Sequence, residues 1–513
     1  MNDVVIIGGG HNGLIAACYL AKAGKKVTIL EAQDQLGGAT VSQQLFPDFD
    51  AKLSRYSYLV SLLPDQIRHD LGLTFTTLGR EVASFTPVQR EGENLGLLIT
   101  SDLGAQTEED FRAITGSDAE LEAWKSFYRD VQIIADVMAP TLLKPLPTRS
   151  ELRAKIGDRI WNEIVERPLG EVLEARFSND VIKGIVLTDG LIGTFADAHS
   201  LQSNICFLYH LIGNGSGEWK VPQGGMGGLV RELTQLAHSL GVTMECSRKV
   251  VALEVTDKGY QAICADTSRF EATYILANCA PHVLAEITGS TPPDSLDGSQ
   301  MKINMLLKKL PRLKSGVDPR LAFAGTFHFD ESYSQFEIAY RQAAAGEIPE
   351  IIPAEMYCHT LTDTSILSPE LVKQGYQTLT LFALHTPAAL FDNEPEAVKA
   401  KIVRRLLTQL NTYLEDPIEE CLALAADGSP CIEAKSPLDL ETDISLPRGN
   451  IFHKDLSMPF REDGTPESWG VETSFPNIFI CGAGAIRGGG VSGIPGHNAA
   501  QAILSHSSSG TFL

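Results

Sequence analysis

Val4-Val5-Ile6-Ile7 is an unbroken apolar run of strand length, and Val27-Thr28-Ile29-Leu30, apolar but for Thr28, reads as a second buried strand. Runs without polar alternation belong to strands covered on both faces, as in parallel sheets. Between them, Leu14 to Ala23 places apolar residues at helical spacing, and Gly24 stops the helix. The same reading predicts a helix over Leu229 to Leu240, strands over 242–245 and 249–255, and a short strand from Tyr274 to Asn278 ended by Pro281. Near the C-terminus it predicts a strand over Asn477 to Cys481 and a helix over His497 to Leu504. Two long stretches separate these blocks. The first reads mainly as helices, such as Asp118 to Val137 and Trp161 to Phe177. The second mixes a strand-like run, Gln377 to His385, with a helix over Pro395 to Leu414. No internal repeat is visible, and Ser507 to Gly510 reads as a loose tail.

The turn after the first strand is Gly8-Gly9-Gly10-His11-Asn12-Gly13, a G-x-G-x-x-G placed between strand and helix. Each part has a task in a dinucleotide site. Gly8 permits the tight turn, Gly10 keeps side chains away from a pyrophosphate, and Gly13 lets helix and strand pack closely. The helix N-terminus offers unpaired N–H groups and a partial positive charge to phosphates. Glu31 ends the second strand 18 residues past Gly13, where it can accept ribose hydroxyls. Gly37 and Gly38 offer a second bare approach to the pyrophosphate. Further glycine-rich loops follow at 221–228 and 482–496. A dehydrogenase completes its nucleotide domain in one run of about 130–150 residues. Here the pieces lie at both ends and in the middle, which fits FAD better than NAD. The later loop-helix would face the negative charge of a reduced flavin near N1 and C2=O. Gly488-x-Gly490-x-x-Gly493 matches the fingerprint formally. It starts too far after its strand, and too little chain follows to close a βαβ unit, so it is not read as an NADPH site.

The expected fold class is α/β with an α+β cap. A discontinuous Rossmann-like FAD-binding domain (1–75, 215–300 and 441–513) would carry an inserted mixed-sheet and helical substrate domain (76–214 and 301–440). The length of 513 residues suits two or three domains. A net charge of −22 repels phosphate backbones and argues against nucleic acid as a partner. The nine cysteines include no C-x-x-C pair, so neither a metal site nor a redox-active disulfide is expected. No run reaches the length of a spanning helix and no signal peptide is evident, which suggests a cytoplasmic protein.

These motifs resemble the phytoene-desaturase-like branch of the FAD-dependent amine-oxidase superfamily, nearly end to end. The resemblance rests on Ile7 to Leu14, Leu30-Glu31-Ala32 with Gly37-Gly38, Gln223 to Gly227, and Cys481 to Gly484 through Gly488 to Ala500. Four shorter segments narrow it to a subgroup: 218–221, Lys302-Ile303-Asn304, Ser436 to Glu441 and Gly449 to His453. The resemblance implies non-covalent FAD, a lipid-like or polyene substrate, hydride transfer to flavin N5, and adenine contact through the backbone of Val250. Where many members carry Arg after the Gly-Gly pair, this chain has Ala39. The cofactor contacts expected on these motifs are Gly8, Gly10, His11, Asn12, Gly13, Glu31, Ala32, Gly37, Gly38, Ala39, Thr40, Val250, Asn278, Gly482, Gly484, Gly490, Val491, Gly493 and Ile494.

No catalytic residue and no metal ligand is assigned. His497 should sit near the flavin, or else cap a helix as a structural histidine. Arg55-Tyr56-Ser57-Tyr58 could line the cavity or form a cap strand. Trp219 reads as a core or lid residue, and His453 as structural. The proline-broken apolar segment Val137 to Pro147 could form a tunnel mouth or touch a membrane surface peripherally, and packing under the cap is the favoured reading. The expected reaction is dehydrogenation of an apolar, isoprenoid or acyl substrate, with O₂ or a quinone as electron acceptor. A flavin-dependent isomerase and an amine oxidase are alternatives. So is a non-catalytic lipid-binding or interaction protein with the fold of GDP-dissociation inhibitors.

Overall fold

The computed structural model describes residues 2–213, 219–294 and 297–509. Glu218, the boundary at 214/215 and Gly510 of the expected tail lie outside the described residues. The last helix, Ile494–Ser509, begins three residues before the expected start and takes in most of that tail. Its Ala499, Ala500, Ala502 and Ile503 are buried against the fingerprint helix layer.

The first sheet is built around Asn2–Ile7. Val27–Leu30 pairs with it on one side and Arg269–Ala277 on the other, both parallel. Thr243–Glu245 extends the parallel set. Arg269–Ala277 is longer than the sequence pattern suggests because its two halves have different neighbours. Its first half pairs antiparallel with Gly259–Cys264, which turns into Val250–Thr256. Its last three residues pair parallel with Ile478–Ile480. One face is covered by His11–Lys22, Met226–Ser239 and Ile494–Ser509. Small residues set how closely these helices approach. A Cβ on Gly496 would lie 2.2 Å from the Asn12 carbonyl oxygen.

The second sheet runs in the order Ile432–Lys435, Met301–Leu307, Gln377–Ala383, Ala354–Tyr357, Thr326–Phe329, Val82–Arg90, Glu93–Thr100. Its last two strands form a hairpin from the stretch read as helical. The hairpin turns at Glu91-Gly92, both at positive φ (54° and 88°), which a two-residue hairpin turn of the primed type requires. Helix Pro395–Asn411 buries Ile402, Leu406 and Leu410 on one face of this sheet. A separate helical layer, from Ala105–Thr115 to Leu201–Ile212, has its own core of Phe111, Phe127, Trp161 and Phe207.

The helix expected over Trp161 to Phe177 is broken in two. Trp161–Val165 is a π-helical turn, and Leu169–Arg176 starts afresh after Pro168. Proline lacks an N–H and disfavours helical backbone in the residue before it, so the break falls at Arg167-Pro168. Among the described residues, no helix is long and apolar enough to cross a membrane.

Candidate active site

A cavity of about 370 Å³ opens where the first sheet's glycine turn meets the second sheet. Gly8, at φ 101°, makes the turn that no other residue makes cheaply. Asn278 locks it, its Nδ2 donating to the Gly8 carbonyl at 3.0 Å. Gly13 presses the helix onto the turn, for a Cβ there would lie 2.6 Å from the Gly8 oxygen. Glu31 is buried at the cavity wall, accepting from Gly9 N–H at 2.6 Å and Gln33 N–H at 2.8 Å. Two backbone donors hold the carboxylate in place and leave it lone pairs for hydroxyls.

The cradle fits a dinucleotide. His11 Nε2 and Asn12 Oδ1, both buried at the start of the helix, have no partner within the protein. Burial lowers the His11 pKa to about 4, so the ring is neutral near pH 7. Its Nδ1 lies 2.9 Å from the Thr40 hydroxyl. With Thr40 donating there, Nε2 carries the proton, and the Gly490 backbone beside it competes with a phosphate for that donor. FAD would be held along this line, with its adenosine by Glu31 and Val250 and its pyrophosphate by Gly8 to Asn12 and Gly38.

The opposite wall is one face of the second sheet. Lys302 pairs with Phe382, Phe382 with Glu355, and Glu355 with His328, a row across four strands. Directly paired residues share a face, and Lys302, Phe382 and Glu355 line the cavity, as do Gln300 and Tyr357. Lys302 Nζ donates to the Ser54 carbonyl at 2.7 Å and sits 5.5 Å from the Phe382 ring centroid. Burial lowers its pKa to about 7. Glu355 is shifted the other way. Burial, then the neighbouring charge of Glu331, hold its carboxyl well above the usual range, against the pull of the Tyr357 hydroxyl and Arg80. Behind it, Glu331 contacts His328 Nδ1 at 2.5 Å and accepts from the Thr188 hydroxyl at 2.7 Å. Tyr58, Tyr357 and Trp219 form an aromatic cluster, Trp219 stacked on Tyr357 at 5.7 Å. Arg80 lies over Trp219 and Tyr357 at 5.6 and 5.5 Å.

Twelve of the nineteen expected contact residues line this cavity: Gly8, Gly10, His11, Asn12, Glu31, Ala32, Gly38, Ala39, Val250, Asn278, Gly490 and Val491. The other seven stand behind it. Gly13 packs helix on turn and Gly37 bridges to Gly10. Thr40 holds His11. Gly482 abuts the Asn278 carbonyl, Gly484 abuts Pro281, and Gly493 abuts Ile15. Ile494 lines a smaller apolar cavity with Leu142 and Leu208.

His497 is not at the cavity. It packs edge-on against Tyr19 and Trp469 and pairs with Asn498, because the C-terminal helix starts earlier and buries its first turns on the fingerprint helix. Tyr56, Ser57 and Tyr58 do line the cavity, in irregular backbone rather than a strand, whereas Arg55 pairs with Glu433 at 2.6 Å. Trp219 and His453 also line it. The segment 137–147 is tied down: Arg487 donates to the Thr141 and Lys144 carbonyls, and Asn498 to that of Leu142. The wall of Gln300, Lys302, Glu355, Tyr357 and Phe382 escaped the sequence reading. The signal for Lys302 was present, a lysine inside the alternating run Met301-Lys302-Ile303-Asn304-Met305.

Comparison with known proteins agrees with this geometry. Residues 6–76 match the family model of the NAD(P)-binding Rossmann-like domain, and residues 123–411 that of flavin containing amine oxidoreductase. An uncharacterized protein of Mycobacterium tuberculosis is 42% identical, over 98% of this chain and 97% of its own. Pyridine nucleotide-disulfide oxidoreductase domain-containing protein 2 of Mus musculus is 28% identical, over 98% and 93%. The carotenoid 3,4-desaturase of Haloarcula japonica is 24% identical, over 54% and 56%. Among solved structures, wild-type putrescine oxidase bound to putrescine has the same fold, with a TM-score of 0.61 at 17% identity over 99% of both chains.

Proposed function

The chain belongs to the flavin containing amine oxidoreductase family, and from that premise we propose that it desaturates an apolar, lipid-like substrate of isoprenoid, polyene or acyl type. It is an FAD-dependent oxidoreductase. Bound FAD supplies the redox chemistry, accepting a hydride and passing the electrons on to O₂ or a quinone. The protein binds, orients and excludes water. Desaturation removes a hydride from one carbon and a proton from its neighbour, whose C–H electrons form the double bond. Lys302, uncharged above about pH 7 and facing the cavity, is the base that takes the proton. The nineteen contact residues and the division into a cofactor domain (1–75, 215–300, 441–513) and a substrate domain (76–214, 301–440) are part of this proposal.

One observation carries the reading: the cavity continues from the glycine cradle into a wall containing Leu59, Leu62, Ile192, Ile451, Trp219 and Phe382. Such a wall suits an apolar body. The carotenoid desaturase among the relatives supports it. The aromatic cluster would suit an amine oxidase, but Arg80 lies over two of its rings. A guanidinium there disfavours an ammonium substrate by like-charge repulsion.

The test is the visible spectrum of the purified protein, followed by anaerobic titration. A yellow protein that releases FAD on acid treatment and is bleached by an isoprenoid such as farnesol supports the proposal. Bleaching by putrescine and not by isoprenoids overturns it in favour of an amine oxidase. A colourless protein that takes up no added FAD would make the lipid-binder alternative the better one.

A further inference from the structure

We infer that the apolar substrate carries a hydrogen-bond-accepting oxygen, a carbonyl or hydroxyl, and that this end docks on Glu355. The inference rests on the proposed desaturase reading and names the substrate's polar end. Glu355 lies on the cavity face of Ala354–Tyr357, opposite Phe382 and two strands from Lys302. It is almost fully buried, so water does not serve it freely. The groups behind it explain why it acts as a donor. Glu331 is held by His328 and Thr188. Burial first, and then the charge of Glu331, disfavour a carboxylate at Glu355. A protonated carboxyl facing an apolar cavity has an O–H to donate and nothing to gain from hydrocarbon. Gln300, on the same sheet face two residues before Lys302, adds an independent observation. Its Nε2 is buried at the cavity without a protein partner. The unpartnered Gln300 Nε2 and the Glu355 carboxyl beside it on one wall call for an acceptor on the ligand, because leaving a buried donor unmade is costly. A pure hydrocarbon satisfies neither.

The experiment uses the holoprotein and two probes of similar size, geranylacetone (a terpenoid ketone) and farnesene (a hydrocarbon). Dissociation constants are measured by equilibrium dialysis for the wild type and for Glu355→Leu. Glu355→Leu should weaken geranylacetone binding about tenfold and leave farnesene unchanged or tighter. Equal weakening of both probes, or of neither, overturns the inference. Should Glu355→Leu not fold, the wild type alone decides. The infrared carbonyl stretch of bound geranylacetone should shift to lower wavenumber relative to its position in hexane, and an unshifted band overturns the inference. If neither probe binds the wild type at all, the apolar-substrate proposal falls first. Binding without discrimination removes only the polar end.

Discussion

Lys302 shows how a single residue couples burial to chemistry. Its amine has one protein acceptor, the Ser54 carbonyl, and its pKa is brought down to about 7 by burial, opposed by Glu433. A base with a folded-state pKa below its unfolded value destabilises the fold at low pH, where both states are protonated. That cost is relieved as pH rises from about 7 to the unfolded value. Lys302→Met, which keeps the length and removes the charge, should therefore be more stable than wild type at pH 6. The advantage should shrink by a few kcal/mol (about 1.4 per pKa unit) by pH 10, as read from urea midpoints. The same variant should lose the limb near pH 7 in the pH profile of flavin bleaching. Gly13 is the second residue-scale case. Gly13→Ala drives a methyl toward the Gly8 carbonyl and Asn278, so the turn must open. The variant should retain much less FAD after dialysis, visible as loss of colour. Gly8, Gly10 and Glu31 were legible because a dinucleotide turn needs particular residues at particular spacings. Glu355 and Tyr357 were not, since an isolated Glu or Tyr in a strand carries no spacing signature.

At the scale of elements, legibility followed periodicity. The run at 4–7 and the helical spacing of 395–414 each point to one answer, and the structure forms Asn2–Ile7 and Pro395–Asn411. Leu406 projects from that helix into the apolar face of the second sheet. Leu406→Ala should cost about 2–5 kcal/mol of stability with the flavin spectrum unchanged, since the opposite face of the sheet lines the cavity. Where period and punctuation conflicted, punctuation won, as at Pro168. The hairpin Val82–Arg90 and Glu93–Thr100 belongs to a sheet whose other strands lie more than two hundred residues later. Local pattern does not reveal such a partner. Alternation in Met301 to Met305 showed two faces, and only the packing revealed that the polar one meets a cavity rather than solvent.

For the whole molecule, the joints between layers decide what the site can do. Arg487 is buried and donates to the carbonyls of Thr141, Lys144 and Trp469, fastening segment 137–147 to the C-terminal loop. Arg487→Met leaves three carbonyls without this donor. It should cost about 1–3 kcal/mol and release the segment. New chymotryptic cleavage after Leu142 or Leu143 would report that release, and unchanged digestion would count against it. The amino-acid sequence by itself determined the glycine cradle, the strands and helices around it and the family, because those depend on short-range geometry. Backbone that must turn tightly or approach a phosphate selects its residues locally. Tertiary structure alone decided which residues face the glycine cradle across the cavity. Lys302, Phe382 and Glu355 lie up to about eighty residues apart in the chain, and only strand pairing sets them in one row. The shifted protonation of Lys302 and Glu355 follows from burial, a property of the assembled layers and of no local segment.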